Sequence, residues 1–183
     1  MNQTIVKIGR PVLRGKTREI TQEEAVSDKV KTFVARMVDT MRRAQGVGLA
    51  ANQVGDPRRI LVMECKGNPR YPRRPSFPLQ TYLNARIVKY SGKRVEDWEG
   101  CLSIPGYRGL VPRSYRVTFE ATNLKGKKVR RTLKGFEARV LQHEVDHLNG
   151  YFYIDRMRHF RDFFHLDEFE KKMSRKISEK RQS

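Results

Sequence analysis

The clearest hydrophobic pattern in the chain covers residues 28–45, where apolar side chains recur with the period of an α-helix. They fall on one face: Val30, Phe33, Val34, Met37, Val38 and Met41. Ser27 or Asp28 can cap the first turn, and Gly46 can end the helix. The pattern predicts an amphipathic N-terminal helix whose apolar face belongs to the core.

Short apolar or alternating runs that are typical of β-strands follow, and they cover residues 59–65, 81–90, 114–122 and 128–134. Residues 123–126 (Asn-Leu-Lys-Gly) predict the turn between the last two strands. Residues 1–27 look irregular, with short β-prone pieces such as residues 4–8. Since no internal repeat or break in composition is present, residues 1–183 are expected to form one domain.

A second helical pattern lies between Gly135 and Gly150, where an apolar stripe is formed by Ala138, Leu141, Val145 and Leu148. This segment contains His143-Glu144-Val145-Asp146-His147, an HExxH motif. Positions i and i+4 share a helix face, so both histidines can bind one metal ion. Glu144 can then take a proton from a metal-bound water. The alternative is an ordinary polar helix face.

A catalytic metal site normally has three protein ligands, and the third is open at this point. His159 and His165 are downstream candidates, as in zinc proteases, and Cys101 is the upstream candidate. A thiolate is a strong ligand for Zn²⁺ and Fe²⁺. Cys101 could equally be a small buried hydrophobe, a description that suits Cys65 better because Cys65 ends an apolar strand pattern.

Three segments together resemble a known family. Residues 46–53 (GVGLAANQ), 99–103 (EGCLS) and 142–148 (QHEVDHL) match, in order and rough spacing, the signature motifs of peptide deformylases. The resemblance extends over roughly residues 4–158. It implies removal of the N-formyl group from the initiator methionine of nascent chains. It also implies an α+β fold with antiparallel strands packed around a central HExxH-bearing helix.

The resemblance further implies a divalent metal, usually Fe²⁺, with Zn²⁺, Ni²⁺ or Co²⁺ as substitutes. The implied ligands are Cys101, His143 and His147. Glu144 would be the general base, while the Gln53 amide and the backbone N–H of Leu102 would stabilise the oxyanion. A neutral amide suits that role because it does not titrate.

Several residues are expected to contact the substrate, namely Gly46, Val47, Gly48, Glu99, Gly100, Arg108 and Arg139. The glycines would let the substrate backbone lie close, as an added strand. Arg108 could contact the substrate backbone or be an ordinary surface arginine. Arg139 would line the methionine pocket, where the family often has an apolar residue, with its stem supplying apolar surface. Asp146 is expected either to pair with a basic group such as Arg113 or to face solvent.

The charge balance adds an expectation about partners. The formal charge is +19, from 39 Lys+Arg against 20 Asp+Glu, which favours polyanions, with nucleic acid first and an anionic membrane surface second. Solubility without a specific partner is the alternative. The chain from Asp155 looks helical, with apolar character from Phe160, Phe163, Phe164 and Phe169, which predicts a basic C-terminal helix or tail, residues 156–183. This tail is expected to be either a mobile, solvated segment or a basic contact arm. A basic tail and a basic surface would suit the ribosome, where nascent formyl-Met peptides emerge; specific DNA binding is not expected.

Residues 66–80 are predicted to form a variable basic loop, because Pro69, Pro72, Pro75 and Pro78 recur every third residue and favour polyproline II geometry. No run of 18 apolar residues, no signal-peptide core and only two cysteines occur, which favours a reducing cytoplasm, or an organelle if a transit peptide was removed.

Two other functions stay open. A zincin-type metallopeptidase would use the same HExxH motif with a His or Glu ligand further downstream. A basic ribosome- or RNA-binding module would carry a structural metal site, which should be closed by four protein ligands.

Overall fold

The computed structural model describes residues 3–182, and it describes side chains for residues 3–175. Within these residues the helices are α1 Gln22–Val26, α2 Asp28–Arg43, α3 Gly135–Leu148 and α4 Leu166–Gln182. The strands are β1 Gly48–Ala50, β2 Ile60–Cys65, β3 Phe77–Tyr90, β4 Arg94–Cys101, β5 Ile104–Ser114, β6 Arg116–Thr122, β7 Lys128–Lys134 and β8 Phe163–His165. None of the described helices is both long and apolar enough to cross a membrane.

The strands form two antiparallel sheets. The larger sheet has five strands in the order β1-β2-β3-β6-β7, so β1 and β7 are its edges. The smaller sheet has three strands in the order β4-β5-β8. Every pairing within the two sheets is antiparallel. The predicted mixed α+β architecture with antiparallel sheets is therefore confirmed.

Helices α2 and α3 pack on opposite faces of the larger sheet. Alternate side chains of β2 divide between two clusters: Ile60 and Val62 lie with α2, while Leu61 and Met63 lie with α3. The alternation follows from the pleat of a strand, in which successive side chains point to opposite faces. The core around this sheet therefore has two layers, and the HExxH segment lies on α3. A third cluster, which includes Val111, Phe152 and Tyr153, lies by the smaller sheet.

Helix α2 matches its predicted apolar face. The side chain of Ser27 accepts a hydrogen bond from the N–H of Val30, and so caps the helix. Five of the six predicted stripe residues are buried, and Phe33 is partly buried. The helix ends at Arg43, and Gln45 adopts a left-handed conformation with φ of 52° just before Gly46.

The loop after β2 differs from its prediction. Strand β3 begins at Phe77, which pairs with Cys65, so the loop is residues 66–76 and not 66–80. Residues 69–74 form turns instead of polyproline II. The early start of the strand has a physical reason. The ring of Phe77 is buried in the α3 cluster, and because of this tertiary contact β3 begins four residues before the predicted start at 81.

Other elements also depart from the sequence patterns. Residues 4–8 form no strand, and β4 and β5 occupy residues with no predicted element. The tail is not helical from Asp155, because β8 intervenes and α4 begins only at Leu166. Phe163 and Phe164 pair with Gly109 and Arg108 in β5 instead, so the aromatic run belongs to a sheet.

Candidate active site

The three expected metal ligands converge between the end of β4 and the face of α3. Sγ of Cys101 lies 3.2 Å from Nε2 of His147, and Nε2 of His147 lies 3.2 Å from Nε2 of His143. All three ligand atoms lie within 4.8 Å of one another. Cys101 is brought there by the antiparallel β4–β5 hairpin, and the histidines by their i,i+4 spacing.

The donor set fits a divalent metal ion. Tetrahedral ligation with the usual metal–nitrogen and metal–sulfur lengths separates ligand atoms by roughly 3.4–3.6 Å. The spacings of 3.2 Å in this cluster are close to that separation. Burial lowers the pKa of His147 well below its ordinary value, so this imidazole is neutral and can act as a ligand. His159 and His165 do not belong to the cluster.

A buried chain of charges orients His143. Its Nδ1 lies 2.9 Å from Oε2 of Glu99, which leaves Nε2 free to face Cys101 and His147. Arg113 donates to both oxygens of Glu99 at 3.0 Å and also pairs with Asp146. Of the two alternatives for Asp146, the pairing with Arg113 is therefore the one present.

The charge state of Glu99 follows from this chain. Burial by itself raises the pKa of the Glu99 carboxyl, but the Arg113 guanidinium and His143 outweigh burial and hold that pKa well below its usual range. Arg113 lies against both Glu99 and Asp146, so this one cation is shared by two buried carboxylates, each of which also pairs with a second arginine, Arg139 or Arg156.

Glu144 stands apart from these ion pairs. Its Oε2 is buried without a hydrogen-bond partner among the described residues. Burial is the main cause that raises the pKa of its carboxyl to about 7. A Cβ on Gly48 would collide with this carboxylate, so the glycine leaves room for the present position of Glu144. A carboxyl with a pKa near neutrality can both accept and release a proton.

The Gln53 amide faces the cluster of Cys101, His143 and His147 from the turn after β1. Its Oε1 accepts a hydrogen bond from the N–H of Ala50 at 2.9 Å, which fixes the orientation of the amide. Its Nε2 lies 3.4 Å from Sγ of Cys101 and 3.2 Å from Oγ of Ser103. Ser103 is a contact that the sequence did not indicate. Leu102 follows Cys101 in the tight turn between β4 and β5 and, with Gln53, lines a cavity beside the cluster.

A cavity opens beside the cluster, between the edge strand β1 and β4. Gly46, Val47 and Gly48 line one side, and Glu99 and Gly100 line the other. The wall also contains five side chains that the sequence patterns did not single out: Arg70, Tyr71, Trp98, Phe136 and Val140. Aromatic residues with no periodic pattern give little signal in a sequence.

Loop 66–76 supplies part of that wall. Nδ2 of Asn68 donates to the carbonyls of Gln45 and Gly46 at 3.0 and 3.2 Å. Nη2 of Arg74 lies 2.6 Å from Oδ2 of Asp97, and the Tyr71 ring packs on Phe136 with centroids 5.5 Å apart. These hydrogen bonds, the ion pair and the ring contact hold the basic loop over the cavity.

The two arginines expected at the substrate differ in position. Half-buried Arg108 places its guanidinium over Gly100, where a Cβ would collide with it. Arg139 lines the cavity, but its guanidinium is engaged by Glu99 at 2.6 Å and by the carbonyls of Val111 and Val95 at 2.9 and 2.5 Å. Only the stem of Arg139 is left to contact a ligand.

Comparison with known proteins connects this geometry to a family. A family model described as polypeptide deformylase matches residues 2–162. The chain belongs to the peptide deformylase family. This deformylase is accordingly a metal-dependent hydrolase, and the family match does not support a zincin-type peptidase or a structural-metal RNA-binding module.

Individual relatives agree with the family match. Peptide deformylase 1 of Nitrosomonas europaea is 38% identical over 91% of this chain and 94% of the relative. A chloroplastic peptide deformylase 1A of Solanum lycopersicum is 38% identical over 89% of this chain and 63% of the relative. The solved structure of a class I type b deformylase from Acinetobacter baumannii with bound Met-Ala-Ser has a TM-score of 0.83 and 34% identity, covering 86% of this chain and 99% of the other.

Proposed function

We propose that this deformylase hydrolyses the formyl amide of N-terminal formyl-methionine on nascent polypeptides and releases formate. One observation carries the assignment of residues: a Cys-His-His cluster lies beside a fixed neutral amide and a buried glutamate whose Oε2 has no hydrogen-bond partner among the described residues. Cys101, His143 and His147 would hold the metal. The thiolate-imidazole set suits Fe²⁺, which the family resemblance favours, and it also suits Zn²⁺, Ni²⁺ and Co²⁺.

When bound, the metal would acidify a coordinated water and polarise the formyl carbonyl. Glu144 accepts a proton from the attacking water and later gives it to the nitrogen of the leaving peptide as the C–N bond breaks. The Gln53 amide and the backbone N–H of Leu102 donate hydrogen bonds to the carbonyl oxygen as it gains negative charge. Glu99 holds His143 in one tautomer and orientation.

The substrate would enter as an extra strand along the free edge of β1, where Gly46, Val47 and Gly48 line the cavity. Gly100 and Arg108 would contact it from the opposite side. Phe136, Trp98 and the stem of Arg139 provide apolar surface for a methionine side chain. The tripeptide bound to the Acinetobacter baumannii relative begins with methionine, which supports this orientation.

Residues 1–183 would act as one catalytic domain, with the helix that carries the HExxH motif at its centre. We place the enzyme in the cytoplasm, with an organelle as the alternative because one relative is chloroplastic. Ribosome association would use the basic surface and the tail 156–183. The side chains of residues 176–183 lie outside the described part of this tail.

The test is anaerobic purification with metal analysis and a formate-release assay on formyl-Met-Ala-Ser. Glu144→Gln is expected to keep the metal and lose about 100-fold to 10,000-fold in kcat, the usual contribution of a general base. Cys101→Ala is expected to lose the metal. Cys65→Ala is the matched control, since Cys65 is a buried cysteine of the core. Stoichiometric metal in Cys101→Ala would contradict the ligand assignment.

A further inference from the structure

The outer face of β3, β6 and β7 is covered with basic side chains. Arg116 lies opposite Lys134, Thr118 opposite Thr132 and Glu120 opposite Arg130, so these residues share a face. Val117, Phe119 and Leu133 alternate with them and are buried in the core. We call this surface the basic sheet face; its cations are Arg86, Lys89, Arg116, Lys128, Arg130 and Lys134, all exposed.

The charge of this face is strongly one-sided. The face carries six Lys or Arg residues and one acidic residue of these strands, Glu120. The seventh cation of the strands, Arg131, bonds Gln80 and Tyr82 on the other face. Glu120 lies 3.1 Å from Arg86 and 2.8 Å from Arg130, and so holds two guanidiniums side by side. Glu19 adds a second carboxylate at the rim of the depression between these strands.

Such an arrangement costs stability unless something binds it. Like charges directly opposite each other on neighbouring strands are destabilising, and Arg116 faces Lys134 in this way. A bound polyanion would remove that repulsion and would release its own counterions.

We infer that the basic sheet face binds RNA through its phosphodiester backbone. Lys, Arg and Thr side chains are the usual phosphate contacts, and Thr118 and Thr132 lie in the middle of the face. Alternate residues of a strand are about 7 Å apart, so β7 presents Lys128, Arg130 and Lys134 along roughly 20 Å. Tyr90 is the one exposed aromatic side chain described on β3, β6 and β7, so binding is independent of base sequence.

The position of the face is compatible with catalysis. Helix α3 and the metal ligands lie against the opposite side of the same sheet. Bound RNA therefore leaves the cavity beside β1 open to peptide. The identity of the bound RNA rests on the proposed function. An enzyme that acts on nascent chains works beside the ribosome and would therefore meet ribosomal RNA.

An anionic membrane is the other polyanion to consider, and the face suits it less well. Proteins that lie on membranes bury apolar side chains among the lipid headgroups. On this face the strands present mainly cations and threonines. Tyr90 pairs with Val117 and lines a pocket with Gln142 and Asp146 of α3, so it lies on the opposite face. The other exposed apolar side chains of β3 are Val88 near its end and Leu79 near its start.

The test measures binding of a fluorescent 20-base-pair RNA duplex to the purified holoenzyme across a salt series. The triple variant Lys128→Gln, Arg130→Gln, Lys134→Gln is expected to bind about tenfold more weakly. Its log Kd against log salt slope should fall by about 3, one unit for each lost phosphate contact. Arg86→Gln with Arg116→Gln, on the neighbouring strands, should also weaken binding.

The matched control is Lys16→Gln, Lys29→Gln, Arg36→Gln, which removes three exposed cations outside the face. Equal weakening in the control and the β7 variant would overturn the inference, because only total charge would then matter. A β7 variant that loses binding to phosphatidylserine vesicles but not to RNA would overturn it in favour of a membrane. Formate release is expected to be unchanged in these variants, so failure of the catalytic assignment would be seen separately in Glu144→Gln.

Discussion

At the scale of single residues, the site depends on how closely β1 approaches α3. Gly48 lies directly against the Glu144 carboxylate, and any Cβ at this position would occupy the same space. The glycine therefore sets the position of the proposed base as well as leaving room for substrate. A side chain here would have to displace Glu144 or separate the strand from the helix.

Gly48→Ala is expected to lower kcat about 100-fold, since a displacement near 1 Å at a reacting group has an effect of that size. The metal content should stay the same because no proposed ligand moves. The measurement is formate release with metal analysis on the same sample. Gly92→Ala is the control, because nothing lies within 4 Å of its added Cβ. An unchanged kcat in Gly48→Ala would show that Glu144 tolerates displacement.

At the scale of elements, buried ion pairs join β4, β5 and α3. Arg113 of β5 connects Glu99 of β4 with Asp146 of α3. Arg156 extends the chain with an ion pair of 2.7 Å to Asp146. The hairpin that carries Cys101 is thereby held against the helix that carries both histidines.

Arg113→Met is expected to lower the free energy of unfolding by about 3 kcal/mol, the lower end of the cost of breaking a buried ion pair, because Glu99 and Asp146 lose their shared cation while Arg139 and Arg156 still pair with them. Urea unfolding measures this, and exposed Arg116→Met should change stability by less than about 0.5 kcal/mol.

The parent enzyme and the Arg113→Met variant should respond differently to acid. The folded pKa of Glu99 is depressed in the parent, so its stabilising contribution is present at neutral pH and lost as pH falls through that low pKa. Without Arg113 the pKa of the Glu99 carboxyl would rise, because burial raises it and fewer cations would oppose that effect. The stability gap between parent and variant should therefore narrow in acid; a gap that is constant with pH would contradict the role assigned to Arg113.

At the scale of the whole molecule, a net charge of +19 makes association with polyanions sensitive to salt. Helix α4 packs its Phe169 ring against Trp98, with centroids 4.9 Å apart, so the start of the basic tail is anchored to the body. The distal part from residue 171 carries six Lys or Arg and one Glu.

Removing residues 171–183 is expected to weaken ribosome association and to reduce its salt dependence, because five net positive charges, six minus one, are lost. Co-sedimentation with ribosomes over a salt series measures both quantities. If the truncated enzyme sediments as before, the tail is not the contact, and the basic sheet face becomes the surface to test.

The amino-acid sequence by itself determined the features that depend on local geometry. The stripe from Val30 to Met41 follows from the period of 3.6 residues, and the facing of His143 and His147 follows from the same period. The three motifs identified the family because their residue types are chemically specific. These inferences need no knowledge of distant contacts.

Only the tertiary structure decided which distant residues meet. Glu99 lies behind His143, and loop 66–76 packs across the cavity. Both contacts join segments that are tens of residues apart, and neither has a periodic signal in the sequence. Strand β8 forms because Phe163 stacks on Tyr107, although its sequence reads as part of a helix. Such contacts form where packing and burial outweigh local preference, and a linear pattern contains no record of them.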